Sequence, residues 1–582
     1  MALFPGGCAQ VNPTIRAMQG TTTGQHLPGQ LSPGRSLLTM AHAPLLPLMP
    51  SGTLPPVALL LRWLEDLHQD QVDTVVVGTL PQLNASLPDL LRLGGISTVL
   101  ASGLPRPGFR WEGVGGSRVS VRDAEATVPD DLVHHGQLPS GEAQFADDQG
   151  LLGLVEMARL ADASSCLGLG DGASWNHILM ALDRGRIPRL PHLRGRAPEG
   201  DVGLGVWNPL PFARELTCVL PLLGDKPWGV ADAQGRTYPI QIVEGSTGEE
   251  VLTTLSLGAH ECVGLTPVHD PVADATWDVE TDVLDNGLVR IELDPLGHIV
   301  RLCSRGVFAE FAGPAVAPTI NGLPLGGTAT ITIHEAGPVR ARVGVTRTTT
   351  AGTLRLTYTV HAHEDVVRIA GTWSGDGDLI LTHPTTHRGS LLHAAGELSR
   401  AMIPQARSIL HPPAEPLAGV RWATLGDSSG RGLAVAAGRP ITLEAEGGVL
   451  RIYGAPAVSY ALGALGGSRR EGLNLGQLAN HLAVGGRSFS GSESIPAPFR
   501  LANLGGLYPI WSRLPPGWAG EIVFADQSGA RGRGYLYPRK QPTEAVRVDV
   551  FGNALAPVHL TREGDGLELD HGPCEVFIVR WR

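Results

Sequence analysis

Close to residue 195 the hydrophobic period of this chain changes, and the change limits the folds open to it. Before that point apolar segments alternate between helical and strand spacing. They are PPVALLLRWLEDLHQ, VDTVVVG, SLPDLLRLGG, ISTVLASG and the hairpin pattern FRWEGVGGSRVSV, followed by LLGLVEMARLADA, CLGLG and SWNHILMALDRG. Such alternation predicts α/β structure. Ser86 and Asp89 stand at capping-box spacing before a helix over 87–93, and Gly94 supplies a stop. After the linker GRIPRLPHLRGRAPEGD the runs become short and strand-like, with no long helix between them. ELTCVLPL, LVRIELD, GTATITIHEA, LRLTYTVHA, DVVRIAGTW, GLAVAAG and CEVFIVRW predict large antiparallel sandwiches. The 76 Gly and 46 Pro are spread over these segments as turn residues.

The expected organisation is multidomain: an irregular or disordered segment over 1–40, a reduced α/β-barrel-like domain over 41–195, and a small β domain over 196–280. A large β sandwich over 281–495 and a C-terminal β domain over 496–582 complete it. The α/β segment is roughly 150 residues, short of the ~250 of a complete (β/α) barrel.

Charge narrows the function classes. With a net charge of −11 and arginines scattered singly, the chain has no electrostatic footprint for nucleic acid or an anionic membrane. The six cysteines, Cys8, Cys166, Cys218, Cys262, Cys303 and Cys574, form no CxxC pair and read as reduced, mostly buried thiols. The start lacks a basic stretch followed by an apolar one, and no apolar run approaches a membrane span, so a soluble cytoplasmic protein is expected.

Several stretches in order resemble the α-mannosidases of glycoside hydrolase family 38. GVWNPLPFARE (Gly205 to Glu215) is similar to the strand that opens that family's β half. DNGLVRIELDPLGHIVRL (Asp285 to Leu302) is similar to its entry into a mutarotase-like β-supersandwich. RWATLGDSSGRGLAVAAG (Arg421 to Gly438) and PCEVFIVRW (Pro573 to Trp581) resemble two later strands. LPDLLRLGGISTVL with FRWEGVGGSRVSV, and GLGDGASW (Gly168 to Trp175), resemble parts of its catalytic domain.

The resemblance also implies what should be present and is not. In that family a metal ion, usually zinc, is held by a His-x-Asp pair, by a nucleophilic Asp and by a later His from a helical region. The nucleophile lies in an LPDxFG turn, and the matching place here is Leu80-Pro81-Gln82-Leu83-Asn84. The nearest His-x-Asp is His42 with Pro44 in the Asp place, and the interval 190–205 leaves no room for the helical region. Zinc is therefore expected to be absent. A retaining glycosidase needs two carboxyl groups roughly 5 Å apart, one to attack and one to donate a proton. An amide at Gln82 can do neither.

Other constellations carry weaker chemistry. His361 and His363 lie on one face of a strand before Glu364 and Asp365, which suits a metal or, more simply, a strand end. His383, His387 and His393 read as loop histidines, and His134-His135 beside Asp130-Asp131 as a solvated loop. Asp376 and Asp378 read as a turn. Trp111, Trp175, Trp207, Trp373 and Trp422 could stack on a sugar or pack in the core. Asp171, Trp175 and Gln82 are the candidate ligand-binding residues, and no catalytic or metal residue is assigned.

The leading expectation is an α-mannosidase-like, carbohydrate-associated protein that has lost hydrolytic chemistry and acts in carbohydrate binding, regulation or assembly. A second is an active glycosidase with a rebuilt site, in which Asp171 works with Glu142, Asp147 or Asp148. A third is a purely structural β scaffold. A carbohydrate ligand, and a homo-oligomer or protein partner, stay open.

Overall fold

The computed structural model describes residue 46 and residues 57–69, 72–77, 86–101, 108–113, 116–123, 133–135, 204–220, 227–245, 248–269, 277–304, 307–310, 318–385, 391–396, 400–404, 416–427, 431–446, 448–454, 456–465, 474–490, 494–527, 531–573 and 575–582. The expected elements over 151–185 and the segment 1–40 fall outside these residues. The described residues are mostly β, with three helices: α1 (Val57–Gln69), α2 (Leu87–Leu93) and α3 (Leu475–Ala483). None is long and apolar enough to cross a membrane.

Two compact units form. One takes the described residues up to 135 together with 502–582, and the other takes 204–396 and 400–501.

In the first unit, α1 buries Val57, Leu60, Leu61, Leu64 and Leu67, the spacing of a single apolar stripe. The strand β1 (Thr74–Val77) continues through α2 into β2 (Thr98–Ala101), which runs parallel to it. A parallel pair needs such a crossover. The strands β3 (Gly108–Glu112) and β4 (Arg118–Asp123) form the expected antiparallel hairpin, and β4 pairs parallel with β2. The sheet order is β1-β2-β4-β3-β5, where β5 is Val133–His135. That last strand corrects the loop reading of His134-His135: pairing with Arg110–Glu112 outweighs the local composition.

The expected capping box also takes a different form. Ser86 is the N-cap, but its side chain makes no capping hydrogen bond. The Asp89 carboxylate instead accepts the Ser117 N–H at 3.0 Å, fastening the β3–β4 hairpin to α2. A Cβ at Gly113 would lie 2.3 Å from Asp89 Oδ2, so the backbone there must pass bare. Gly94 does stop α2, and it allows Leu64 of α1 to approach to 2.6 Å from where its Cβ would be.

The C-terminal strands complete this core. Tyr508, Ile510, Trp511, Val523, Ala525, Val548, Val550 and Ile578 pack in one cluster with the apolar faces of α1, α2 and the α/β sheet. Glu521, fully buried, is paired with Arg513 and Arg580, and Arg513 reaches Glu65 of α1.

The second unit is built from antiparallel sheets of seven, five and thirteen strands. The strand-like runs of the sequence are recovered as Arg214–Leu220, Val289–Leu293, Thr328–Ala336, Gly352–His361, Val367–Trp373 and Gly432–Glu446. Two histidines expected in loops are on strands. His383 lies in Leu379–Pro384, paired with Val449–Gly454, and His393 lies in Leu391–Ala395 between two partners. Pro and Gly there depress strand propensity locally, but cross-strand pairing decides the conformation.

Candidate functional site

β1, β2 and β4 run parallel and end level, with Val77 beside Ala101 and Ala101 beside Asp123. In open α/β sheets ligands bind beyond the carboxyl ends of such strands. Gln82 follows Val77 by five positions. Gln82, Asn84, Asp171 and Trp175 all lie outside the described residues, as do His42, Pro44, Glu142, Asp147 and Asp148. The sequence reading overlooked Asp123, whose backbone closes β4 at this rim. The available signal was a carboxylate at the last position of an alternating run, RVSVRD.

The best-defined polar constellation lies in the second unit and is built around Asn208 and Arg214. Asn208 Nδ2 donates to Phe212 O at 2.9 Å and to Gly258 O at 2.7 Å, while its Oδ1 accepts from Leu210 N at 3.1 Å and Arg214 Nε at 2.9 Å. Arg214 Nη1 donates to Val484 O at 2.6 Å and approaches His481 Nδ1 at 3.4 Å. His481 Nε2 lies 2.9 Å from Glu364 Oε1, and Arg368 Nε donates to Glu364 Oε2 at 2.8 Å.

Burial, and Arg368 nearby, lower the Arg214 guanidinium to about 9, which leaves it charged at neutral pH. Burial pushes the Glu364 carboxyl up, but Arg368, His361 and His481 together hold it well below the usual range. His481 is lowered by burial more than Glu364 raises it, so its ring is neutral. The neutral ring stands between Arg214 on its Nδ1 side and both Glu364 and Arg368, each 2.9 Å away, on its Nε2 side. The chemistry is that of a clamp: every group is committed to another within the fold.

The same holds for the other residues that carry the family resemblance. Asn286 Nδ2 donates to His361 O at 2.6 Å and to Glu364 O at 2.9 Å. Asp294 accepts from the Leu296 and His298 amides, each at 2.9 Å. Arg421 donates to Ala437 O at 3.0 Å and to Asn480 Oδ1 at 3.2 Å.

His361 and His363 do not converge. His361 is buried with Nδ1 3.0 Å from Thr217 Oγ1, whereas His363 is exposed. Among the described residues no group of three or more His, Cys, Asp or Glu side chains could hold a metal ion. Asp376 and Asp378 lie in the expected turn, where Asp378 N donates to Asn321 Oδ1. Trp111, Trp207, Trp373 and Trp422 are buried, so none offers a face to a sugar.

One pocket opens within the thirteen-stranded sheet. Tyr358, Ile369 and Tyr460 lie level on three neighbouring strands, and His298, Leu381 and His383 are among the other residues that line it. Burial lowers His383 to about 4, so its neutral Nε2 accepts the Tyr460 hydroxyl at 2.5 Å. The pocket holds about 30 Å³, against roughly 300 Å³ or more for a typical small-molecule site. It is too small for a sugar ring.

With this architecture, two solved structures align over nearly the whole chain. An α-mannosidase from Enterococcus faecalis V583 is similar with a TM-score of 0.66 and 11% identity, covering 90% of this chain and 90% of that one. The chain shares the fold of this α-mannosidase. A protein in glycosyl hydrolase family 38 from Enterococcus faecalis is similar with a TM-score of 0.61 and 10% identity, covering 92% of this chain and 90% of that one. No family model matches the sequence. No curated protein matches it. At such identities the likeness speaks for the fold alone, and the α-mannosidase-like fold accommodates both the α/β sheet and the β half described above.

Proposed function

We propose that this chain is a carbohydrate-associated protein on an α-mannosidase-like scaffold, that it binds glycans at the α/β rim, and that it has lost zinc-dependent hydrolysis. The observation that carries this reading is a shared fold over 90% of the chain with an α-mannosidase, in a sequence that places Gln82 where that chemistry would require a carboxylate. The thirteen- and five-stranded sheets support the mutarotase-like reading of 281–495. The retained motif residues support it too: Asn208, Arg214, Asn286, Asp294 and Arg421 act as structural clamps, so their retention preserves a scaffold without requiring catalysis.

A second reading, a glycosidase with a rebuilt carboxylate pair, is favoured by one observation. Asp123 closes β4 level with the carboxyl ends of β1 and β2. In this reading Asp123 joins Asp171 as a candidate acid or nucleophile.

The test is hydrolysis of an aryl α-mannoside by the full chain, with and without added zinc or cobalt, with bound metal read by elemental analysis on the same sample. No turnover and no stoichiometric metal, together with calorimetric binding of a mannose oligosaccharide, is the expected result. Turnover that disappears in Asp123→Asn or Asp171→Ala establishes the second reading instead. Absence of both turnover and glycan binding leaves a structural scaffold.

A further inference from the structure

In the second unit α3 ties two sheets together. Its residues Leu475 and Ala479 pack in one cluster with Trp422, Ala434 and Ala436 of the thirteen-stranded sheet. Just past its end, the strand Arg487–Ser490 joins the seven-stranded sheet by pairing with Leu204–Trp207. Between helix and strand lie Val484, Gly485 and Gly486, and two consecutive glycines give the backbone its greatest freedom to turn.

The last turn of α3 is held at this joint from several sides. Arg214 Nη1 donates to Val484 O at 2.6 Å and to His481 O at 3.4 Å, and Nη2 donates to Gly485 O at 3.5 Å, so the guanidinium caps the carbonyl end of the helix. The His481 ring has Arg214 Nη1 3.4 Å from Nδ1, with Arg368 Nη2 and Glu364 Oε1 each 2.9 Å from Nε2. His361 belongs to the same cluster, where burial and Arg368 keep its ring neutral. On the side of the thirteen-stranded sheet, Arg421 is spent on Ala437 O, Ala479 O and Asn480 Oδ1. Backbone closes in as well: a Cβ at Gly438 would lie 2.7 Å from Leu482 O, and one at Gly486 would lie 2.6 Å from Leu216 Cδ2.

This arrangement accepts a neutral ring and opposes a charged one. A second ring proton turns both nitrogens of His481 into N–H donors, and the carboxylate that meets them among the described residues is Glu364, already paired with Arg368. Arg214, Arg368 and the imidazolium would then share one carboxylate in a place shielded from water, where like charges repel strongly.

We propose that His481 is the proton sensor of a joint: when its ring takes up a second proton, the end of α3 parts from Arg214 and swings on Gly485–Gly486, loosening the seven-stranded sheet from the thirteen-stranded one. The direction follows from linkage. Burial holds the ring neutral below its ordinary 6.5, so protons favour the parted state, in which the ring meets water. That state gains as pH falls below 6.5, by up to about thirtyfold between pH 7.5 and 5.0 for a ring that regains its ordinary value on opening.

Hydrogen–deuterium exchange of the full chain, read by mass spectrometry at pH 7.5 and 5.0 and corrected for the intrinsic pH dependence of amide exchange, is the test. Peptides covering 474–490 are expected to lose about fivefold or more in protection at the lower pH, and more than peptides covering Arg340–Thr349. His481→Gln cannot titrate and keeps an amide donor for Glu364. It should abolish the loss in 474–490 and leave the pH response of Arg340–Thr349 unchanged. His481→Asn serves if His481→Gln fails to fold. Protection of 474–490 that holds constant in the natural chain overturns the proposal, as does a loss shared equally by Arg340–Thr349 or one that the variant retains. The outcome is independent of whether the α/β rim hydrolyses or binds glycans.

Discussion

Arg214 donates its Nε–H to Asn208 Oδ1 at 2.9 Å across the turn Pro209 to Ala213, and its Nη1 reaches Val484 O at 2.6 Å, 270 positions along the chain. One guanidinium thus joins the opening strand of the β half to the segment that follows α3. The motif residues Asn208 and Arg214 owe their value to this bridge.

Asn208→Ala should therefore be costly. It removes four hydrogen bonds and leaves Gly258 O, Phe212 O, Leu210 N and Arg214 Nε without this partner in a buried place. A loss of about 3 kcal/mol is expected, since each stranded buried group costs about 1–3 kcal/mol. Urea unfolding followed by tryptophan fluorescence measures it, and a change below about 1 kcal/mol would contradict the clamp.

Acid should destabilise the fold in two windows. His260 and His383 are buried and lowered from 6.5 to about 3 and about 4 by desolvation. The unfolded chain then takes up protons first as pH falls below 6.5, so stability declines from 6.5 down to the folded value. For His383 this amounts to about 3 kcal/mol by pH 4. Glu364 acts lower: its depressed carboxyl stabilises the fold above about 4.5, and that contribution is lost as pH falls through the folded value. His383→Gln keeps an acceptor for Tyr460 and abolishes the titration. Its stability should fall less steeply than that of the natural chain between pH 6.5 and 4 in denaturant titrations. Identical slopes would show that His383 is not neutral in the fold.

The contact between α2 and the β3–β4 hairpin predicts a coupled pair of effects. Asp89→Ala removes the acceptor of Ser117 N and should cost about 1–3 kcal/mol. Gly113→Ala drives a methyl group to within 2.3 Å of Asp89 Oδ2 and should also destabilise. Because alanine at 89 removes the obstacle, the double variant should lose less than the two single losses combined. Strict additivity in thermal or urea unfolding would place the two residues apart.

Within the first unit, Glu521 and Glu65 both pair with Arg513 but should differ in weight. Glu521 is fully buried between Arg513 and Arg580, and Glu521→Ala takes this partner from Arg580 and leaves Arg513 with Glu65, at about 3 kcal/mol. Glu65 keeps 24% of its side chain in solvent, and Glu65→Ala should cost about 1 kcal/mol or less. Limited proteolysis of the two variants, compared at equal temperature, should cleave the first much faster. Equal rates would contradict the burial argument.

The sequence alone determined much of the secondary structure and little of the bonding. The alternation in LVRIELD and LRLTYTVHA, and the stripe of α1, are local records of which side of each element avoids water, so they could be read without a fold. The β-hairpin over 108–123 was legible for the same reason. What the local pattern does not contain is where the chain returns. Asp89 reads as a helix cap until Ser117 is beside it, and His383 reads as a loop residue until Val449–Gly454 pairs across. The C-terminal strands read as a separate domain, yet Tyr508 and Ile578 pack in one core with α1 and the α/β sheet. Backbone and side-chain polar groups must each find a partner once buried. Which partner they find is decided only when segments hundreds of residues apart pack together.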